Sequence, residues 1–289
     1  MTFDELLKEG ITRLEAAGVP EAAHDAYALM EAAGGPDRTH FPLVRGEEVS
    51  DGVVFMFDAY VGVRSNRIPL QHILGEAWFR GLPFTVDEDV LIPRPDTETL
   101  VEAVLREAKT FPAAPSVLDL CTGSGAVAVA LAVEGDFASV TASDISHEAV
   151  NIARENAAKN GAEEKILFAE GDLFRAKTKS EKSLSRRSYD IICANPPYVP
   201  TAEIEELEPE VRDHDPLLAL DGGADGLDFY RRLAKDAPAH LNEGGKILLE
   251  IGCEQGADVI RIFAEAGWRE GRVEQDLSGR DRVFSALKP

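Results

Sequence analysis

From Ser116 onward, short apolar runs alternate with stretches of helical periodicity. The strand candidates are SVLDL, SVTASD, KILFAEG, YDIICAN, GKILLEIG, WREGRVEQD and RVFSALK. A strand that is apolar on both sides has to be covered on both sides, and a helix between successive strands is the crossover that parallel pairing needs. The pattern therefore predicts an α/β domain on a seven-stranded, doubly wound, Rossmann-like sheet. The last two candidates are joined by the turn-rich LSGRD and not by a helix, so one of them is expected to run antiparallel.

The first 75 residues follow a different rule. FDELLKEGITRLEAAG and EAAHDAYALMEAAGG repeat apolar residues three and four apart, and VSDGVVFMFDAYVGVRSN is a third, less regular helical stretch. Together they predict a small helical bundle. Over residues 76–95 aromatic and β-branched residues are punctuated by Gly81 and Pro83, which suits a hairpin or extended linker. The expected organisation is a helical domain over 1–75, a linker over 76–95 and the α/β domain over 96–289.

Composition narrows the partners. At 289 residues and 44% apolar content the chain can bury a substantial core. No apolar run approaches the roughly 18 residues of a membrane helix, and MTFDELLKEG lacks the features of a secretory signal, so a cytoplasmic protein without a membrane partner is expected. Cys121, Cys193 and Cys253 show no CxxC spacing, and the histidines are scattered, so neither a disulfide framework nor a metal site is expected. Fifty-two acidic against thirty basic residues leave a net charge of -22, which repels nucleic acid and points to a protein or small-molecule partner. The stretch RAKTKSEKSLSRRS, residues 175–188, runs against that field with six basic residues and one acidic. It lacks apolar periodicity and is expected to be a mobile loop, either a plain solvated insertion or a salt-sensitive guide for an acidic partner or RNA.

VLDLCTGSGAVAVALA places Gly123 and Gly125 after the first sheet strand, at the mouth of a helix. There the backbone can turn tightly against a ligand, and unpaired N–H groups face it. Asp144, ending the second strand, is placed to accept hydrogen bonds from ribose hydroxyls. This much fits a dinucleotide and S-adenosyl-L-methionine (SAM) equally. Asp119, inside the first strand, would repel a pyrophosphate but would hold the cationic methionine end of SAM. In EGDLF, Asp172 stands where a carboxylate can accept from an adenine amino group, with Leu173 and Phe174 beside the base. Three acidic residues at three successive strand ends favour one adenosine with a cationic tail, hence SAM with S-adenosyl-L-homocysteine as product.

The fourth strand runs into Asn195-Pro196-Pro197-Tyr198. Two prolines have no N–H and a fixed φ, so this corner offers rigid carbonyl acceptors and almost no donors. It is suited to receive an NH2 group. The Asn195 side-chain oxygen and the Pro196 carbonyl would accept the two N–H bonds of a planar amide or amine, with the Tyr198 ring against its plane. Fixing both bonds aims the nitrogen lone pair at a methyl donor, and no strong base is needed because the proton can leave after attack.

DLCTGSG, SDIS, GDLF and NPPY in this order, preceded by GLPFTVDEDVLIPRPDTETLVE and followed by ALDGGADGLDFYRRL and EIGCEQG, resemble the HemK/PrmC glutamine methyltransferases, which modify the Gly-Gly-Gln motif of peptide-chain release factors. The resemblance spans nearly the whole chain. It implies a SAM methyltransferase domain, a substrate-recognising helical domain and a release-factor partner; a monomer is expected, and the acidic balance argues against direct sequence-specific binding of nucleic acid. The resemblance also implies SAM contacts from Cys121, Thr122, Gly123, Ser124, Gly125, Asp144, Leu173 and Asn195, with the substrate glutamine held by Asn195, Pro196, Pro197 and Tyr198. Cys121 departs from a common glycine, and His214-Asp215-Pro216 departs from an aromatic-Glu-Pro triplet. The segment Arg94-Pro95-Asp96-Thr97-Glu98 reads as a helix start capped by Asp96 or Thr97, with a role at the active-site entrance implied by the resemblance. A ribosomal-protein glutamine, an adenine in nucleic acid, and a SAM- or NAD-binding module without catalysis are the competing readings.

Overall fold

The computed structural model describes residues 1–180 and 183–289; Glu181 and Lys182 lie outside the described residues. Its contacts divide the chain into two units, Met1–Glu76 with Glu208–His214, and Ala77–Leu207 with Asp215–Pro289. The hairpin after Glu76 thus goes with the larger unit, and a seven-residue excursion from the larger unit goes with the smaller one.

In the smaller unit the amphipathic stretches become helices Phe3–Ala16, Ala22–Ala32 and Asp51–Ser65, joined by the short helices Phe41–Val44 and Leu70–Leu74. The first is started by a reciprocal cap: Glu5 N–H donates to Thr2 Oγ1 at 3.3 Å and Thr2 N–H to Glu5 Oε2 at 2.8 Å. Leu6, Leu14, Leu29, Met30, Phe57 and Val61 form the core. The segment Glu208–His214 is held by charge. Buried Arg64 donates to Asp25 Oδ2 at 2.7 Å and to Glu210 Oε1 at 2.8 Å, and Arg67 closes on the same Glu210 carboxylate from Nε at 2.7 Å. Burial alone would raise the Glu210 carboxyl, but hydrogen bonds from Arg67 and Arg64 override it and hold it at about 2.

The larger unit opens with a hairpin, β1 (Glu76–Phe79) and β2 (Leu82–Thr85). Its main sheet contains β3 (Ser116–Leu120), β4 (Ser139–Asp144), β5 (Ile166–Glu170), β6 (Lys177–Thr178), β7 (Tyr189–Ala194), β8 (Leu241–Glu250), β9 (Arg269–Gln275) and β10 (Asp281–Leu287). The order is β6-β5-β4-β3-β7-β8-β10-β9, with parallel pairing from β5 through β8. The expected antiparallel strand is β10, which runs against both β8 and β9.

The sheet has eight strands among the described residues, one more than the apolar runs indicate. The extra edge strand, β6, lies inside the stretch expected to be a mobile loop and pairs antiparallel with β5. That expectation is corrected for the described residues: Ala176 and Leu184 are fully buried, Leu184 N–H donates to Ala176 O at 2.9 Å, and Leu184–Arg186 forms a 3₁₀ turn. Two inserted apolar side chains leave no periodicity in the sequence, yet they pin the segment at both ends.

Strand alternation divides the core between the two faces. Val117, Ile191, Cys193 and Leu248 pack under helices Glu98–Ala108, Ala126–Glu134 and His147–Lys159, while Leu118, Leu120, Ile192 and Ala194 pack under Asp228–Asp236 and Gly256–Glu265. Among the described residues no helix is long and apolar enough to cross a membrane.

One buried side chain ties the hairpin to the loop after β3. Asn156 accepts from Thr85 N–H at 2.6 Å and donates to Thr85 O at 3.0 Å and to Ser124 O at 2.9 Å. Its replacement by alanine leaves all three backbone groups without that partner, so Asn156→Ala is expected to cost about 2–4 kcal/mol of stability. Urea denaturation measures this, and an unchanged midpoint would refute the role.

Candidate active site

Strands β3 and β7 are neighbours, yet the helices that follow them lie on opposite faces, so a crevice opens at their carboxyl ends. Their register sets Leu120 beside Ala194, and that of β3 with β4 sets Leu120 beside Ser143. The residues that follow these strands therefore emerge at one level around a cavity of about 350 Å³. Asp119, Cys121, Thr122, Gly123 and Ser124 line it, as do Asp144, Asp172, Leu173, Asn195 and Pro197. Gly125, Pro196, Tyr198 and Phe174 stand outside that lining.

The loop after β3 is closed by Thr122 N–H donating to Ser143 O at 3.0 Å and Gly125 N–H to Thr122 O at 2.8 Å. Gly123 takes φ +52°, and Cys121 takes +56°, a region that favours the glycine common at its position. Gly125 serves helix packing: a Cβ there would meet Ala153 Cβ at 2.9 Å, so its absence lets helices Ala126–Glu134 and His147–Lys159 approach. Burial pushes the Cys121 and Cys193 thiols up, so neither supplies a thiolate nucleophile.

Charge is concentrated on the floor and one wall. Asp119 is 1% exposed and accepts from Thr122 Oγ1 at 2.6 Å. Burial pushes its carboxyl up to about 7, the Thr122 hydrogen bond opposes this, and the nearby Asp144 charge adds to it. Among the described residues no cation stands within ion-pairing distance of Asp119. Asp144 accepts from Gly123 N–H at 2.9 Å and Ser146 N–H at 3.0 Å, while burial raises its pKa. Asp172 is paired at 2.5 Å with Arg232, which lies in the ALDGGADGLDFYRRL stretch but to which the sequence reading gives no role. Arg232 and Phe229, its guanidinium 5.4 Å from the ring centre, form a further wall. Phe174 stacks on His240 at 4.2 Å instead of facing the cavity.

Asn195 donates from Nδ2 to Thr97 Oγ1 at 3.3 Å. This corrects the reading of residues 94–98: neither Asp96 nor Thr97 makes a side-chain cap, because Thr97 faces Asn195 and Asp96 pairs with Arg282 at 3.0 Å. Tyr198 donates its hydroxyl to Glu250 Oε1 at 3.4 Å, and its carbonyl accepts from Gln255 Nε2 at 2.9 Å. Gly226 backs this corner closely enough that a Cβ would lie 2.4 Å from Tyr198 O, which gives the glycine-rich ALDGGADG a structural reason. At the cavity mouth, Arg94 donates to buried Asp215 at 2.6 Å, so the unusual His214-Asp215-Pro216 keeps a buried carboxylate there, and Pro216 lines the wall. Among the described residues no group of three or more His, Cys, Asp or Glu is arranged to hold a metal ion.

A family model described as PrmC N-terminal domain matches residues 5–75, and one described as Methyltransferase small domain matches residues 96–207. Release factor glutamine methyltransferases from Cereibacter sphaeroides and Geobacter sulfurreducens are each 41% identical to this chain. The first match covers 100% of this chain and 99% of that protein, the second 92% and 89%. Among solved structures, a methyltransferase from Pyrococcus furiosus covers 73% of this chain and 90% of its own, with a TM-score of 0.52 at 19% identity, a likeness of fold alone.

Asp119 makes stability depend on pH in a definite direction. Its folded pKa of about 7 lies above the value near 4 of an unfolded carboxyl, so the unfolded chain releases this proton first as pH rises and stability falls across that window. In Asp119→Asn the fall in denaturation midpoint between about pH 5 and pH 7 should be shallower than in the wild type, with the Glu250 contribution still present in both. Equal slopes would show that Asp119 titrates normally.

Proposed function

The chain belongs to the release factor glutamine methyltransferases, and from that membership we propose that it transfers a methyl group from SAM to the side-chain amide nitrogen of the glutamine in the Gly-Gly-Gln motif of a peptide-chain release factor, in the cytoplasm. The observation that carries this reading is the pairing, in one cavity, of a buried carboxylate without a cation and an asparagine whose NH2 group is already engaged. Asp119 calls for a positive group, and Asn195 has its oxygen left to accept.

These residues fit SAM. Asp119 would hold its cationic methionine end, the turn at Cys121 to Ser124 would admit its backbone side, Asp144 would accept from the ribose hydroxyls, and Asp172 with Leu173 would meet the adenine. When bound, SAM presents a methyl group on a sulfonium, which becomes the neutral thioether of S-adenosyl-L-homocysteine once the methyl has gone. On the substrate side, Asn195 Oδ1 and Pro196 O accept the two amide N–H bonds, and the Tyr198 ring, held by its hydroxyl, packs on the amide plane. The nitrogen lone pair would thereby be aimed at the methyl group that bound SAM would supply, and the methylated nitrogen would then give up its extra proton to water. Positioning and fixed dipoles supply the rate gain, which agrees with a cavity that, among the described residues, no histidine lines.

Incubation with radiolabelled SAM and a panel of release factor, ribosomal protein and nucleic acid tests the reading. Label is expected in the release factor, and it should vanish when the Gly-Gly-Gln glutamine is replaced. Asn195→Ala should lower kcat by about 100-fold or more, as loss of an aimed dipole does. Asp144→Ala should weaken SAM binding by ~1.5–3 kcal/mol in calorimetry, as loss of a charge-assisted hydrogen bond does. Label on nucleic acid alone, or an Asn195→Ala enzyme with most of its kcat, would overturn the assignment.

A further inference from the structure

An asparagine amide is nearly symmetric in shape, so Asn195 can present either its oxygen or its NH2 group to a substrate. Glutamine methylation as read above requires the oxygen. We propose that Glu250, at the end of β8, is the positioning residue that sets this choice: its carboxylate accepts a hydrogen bond from the Thr97 hydroxyl, which leaves Thr97 Oγ1 only lone pairs to offer Asn195, so Asn195 must turn Nδ2 toward Thr97 and Oδ1 toward the substrate. The inference rests on the glutamine reading and deepens it.

The chain of contacts is short. Asn195 Nδ2 donates to Thr97 Oγ1 at 3.3 Å, and Tyr198 donates its hydroxyl to Glu250 Oε1 at 3.4 Å. Glu250 Oε2 is buried and without a hydrogen-bond partner of its own, and Thr97 is the neighbour whose hydroxyl most opposes the upward push of burial on the Glu250 carboxyl. Above about pH 7, where Glu250 is ionised, its carboxylate can only accept, so the direction of each hydrogen bond follows: Tyr198 and Thr97 donate to it. One acid thus fixes both Asn195 and the Tyr198 ring. Its own position is fixed by Tyr230, whose hydroxyl donates to Glu250 O at 2.9 Å.

A scaffold role alone does not account for a charged group here. Glu250 is 1% exposed, and among the described residues no cation lies within ion-pairing distance. Burial pushes its carboxyl up to about 7, and the field of Arg282 lowers it again. A neutral glutamine of the same shape would be cheaper to bury. It would also carry an NH2 donor, which can feed Thr97 and free the Thr97 proton to point at Asn195, reversing the amide.

The decisive experiment compares Glu250→Gln, Thr97→Val and Thr97→Ser with the wild type, measuring SAM Kd and glutamine-methyl transfer under saturating SAM. We expect Glu250→Gln and Thr97→Val each to lower kcat by about 30-fold or more, the scale of a lost aimed dipole, with SAM Kd within about twofold and thermal stability of Glu250→Gln not reduced. Thr97→Ser should recover most of the rate, because only the hydroxyl matters. The Glu250→Gln/Thr97→Val double variant should be no slower than the slower single one, since both act through one chain of contacts. Wild-type kcat in Glu250→Gln, a parallel loss of SAM affinity, or failure of serine to rescue would each overturn the inference while leaving the glutamine reading intact. If Glu250→Gln does not fold, the valine and serine variants at Thr97 decide alone. A wild-type enzyme that labels no glutamine would sink the reading and this inference with it.

Discussion

The parallel register of β3 against β7 is the constraint on which the candidate site depends. Leu120 opposite Ala194 brings the turn after one strand and the Asn195 corner after the other to the same height. Both strands are buried on both sides, so their apolar side chains hold the register from two faces at once. Side chains alternate along a strand, and a slip by one residue would exchange the faces of Leu118, Asp119 and Leu120. The carboxylate would then leave the cavity floor, and no later adjustment in a loop could return it.

A second constraint is electrostatic. Asp119 and Glu250 are both nearly inaccessible to water, both lack an ion-pair partner among the described residues, and burial pushes both up to about 7. Elsewhere buried acids are neutralised: Asp25 by Arg64, Glu107 by Lys246 and Arg272, Asp215 by Arg94, Asp276 by Arg282. The two exceptions are those beside the cavity and the Asn195 corner. A fold selected for stability alone would pair or replace them, so their retention is best explained by work done on something outside the resting chain.

The sequence made the sheet legible because its strands are uniformly apolar and its crossovers helical, signals that each lie within a few neighbouring residues. The glycine turn, Asp144 and Asn195 were legible for the same reason, since they follow recognisable strand ends. What escaped depends on distant partners. Thr97 stands where a helix cap belongs, and its hydroxyl is claimed instead by Asn195, nearly a hundred residues away in the chain. Arg232 lies on a helix that reads as an ordinary charged surface until Asp172 is folded against it. The short strand β6 carries too few apolar residues to form a pattern, and the excursion Glu208–His214 joins the smaller unit through Arg64 and Arg67, a matter of charge geometry and not of composition.

Cys121 shows how such a site tolerates a departure from its pattern. A residue with a Cβ at φ +56° costs about 1–2 kcal/mol relative to a relaxed backbone, and glycine would remove that cost. The turn nevertheless keeps its shape, because the hydrogen bonds from Thr122 to Ser143 and from Gly125 to Thr122 fix the backbone on either side. The thiol is held neutral by burial, so it adds no nucleophile and no charge to a cavity already lined by Asp119 and Asp144. What the substitution changes is the wall: a small, polarisable side chain stands where glycine would leave space. The backbone geometry that the adenosine reading needs comes from the strand ends and the hydrogen-bonded turn, so the identity of residue 121 adjusts stability and cavity shape without altering the chemistry proposed for Asn195.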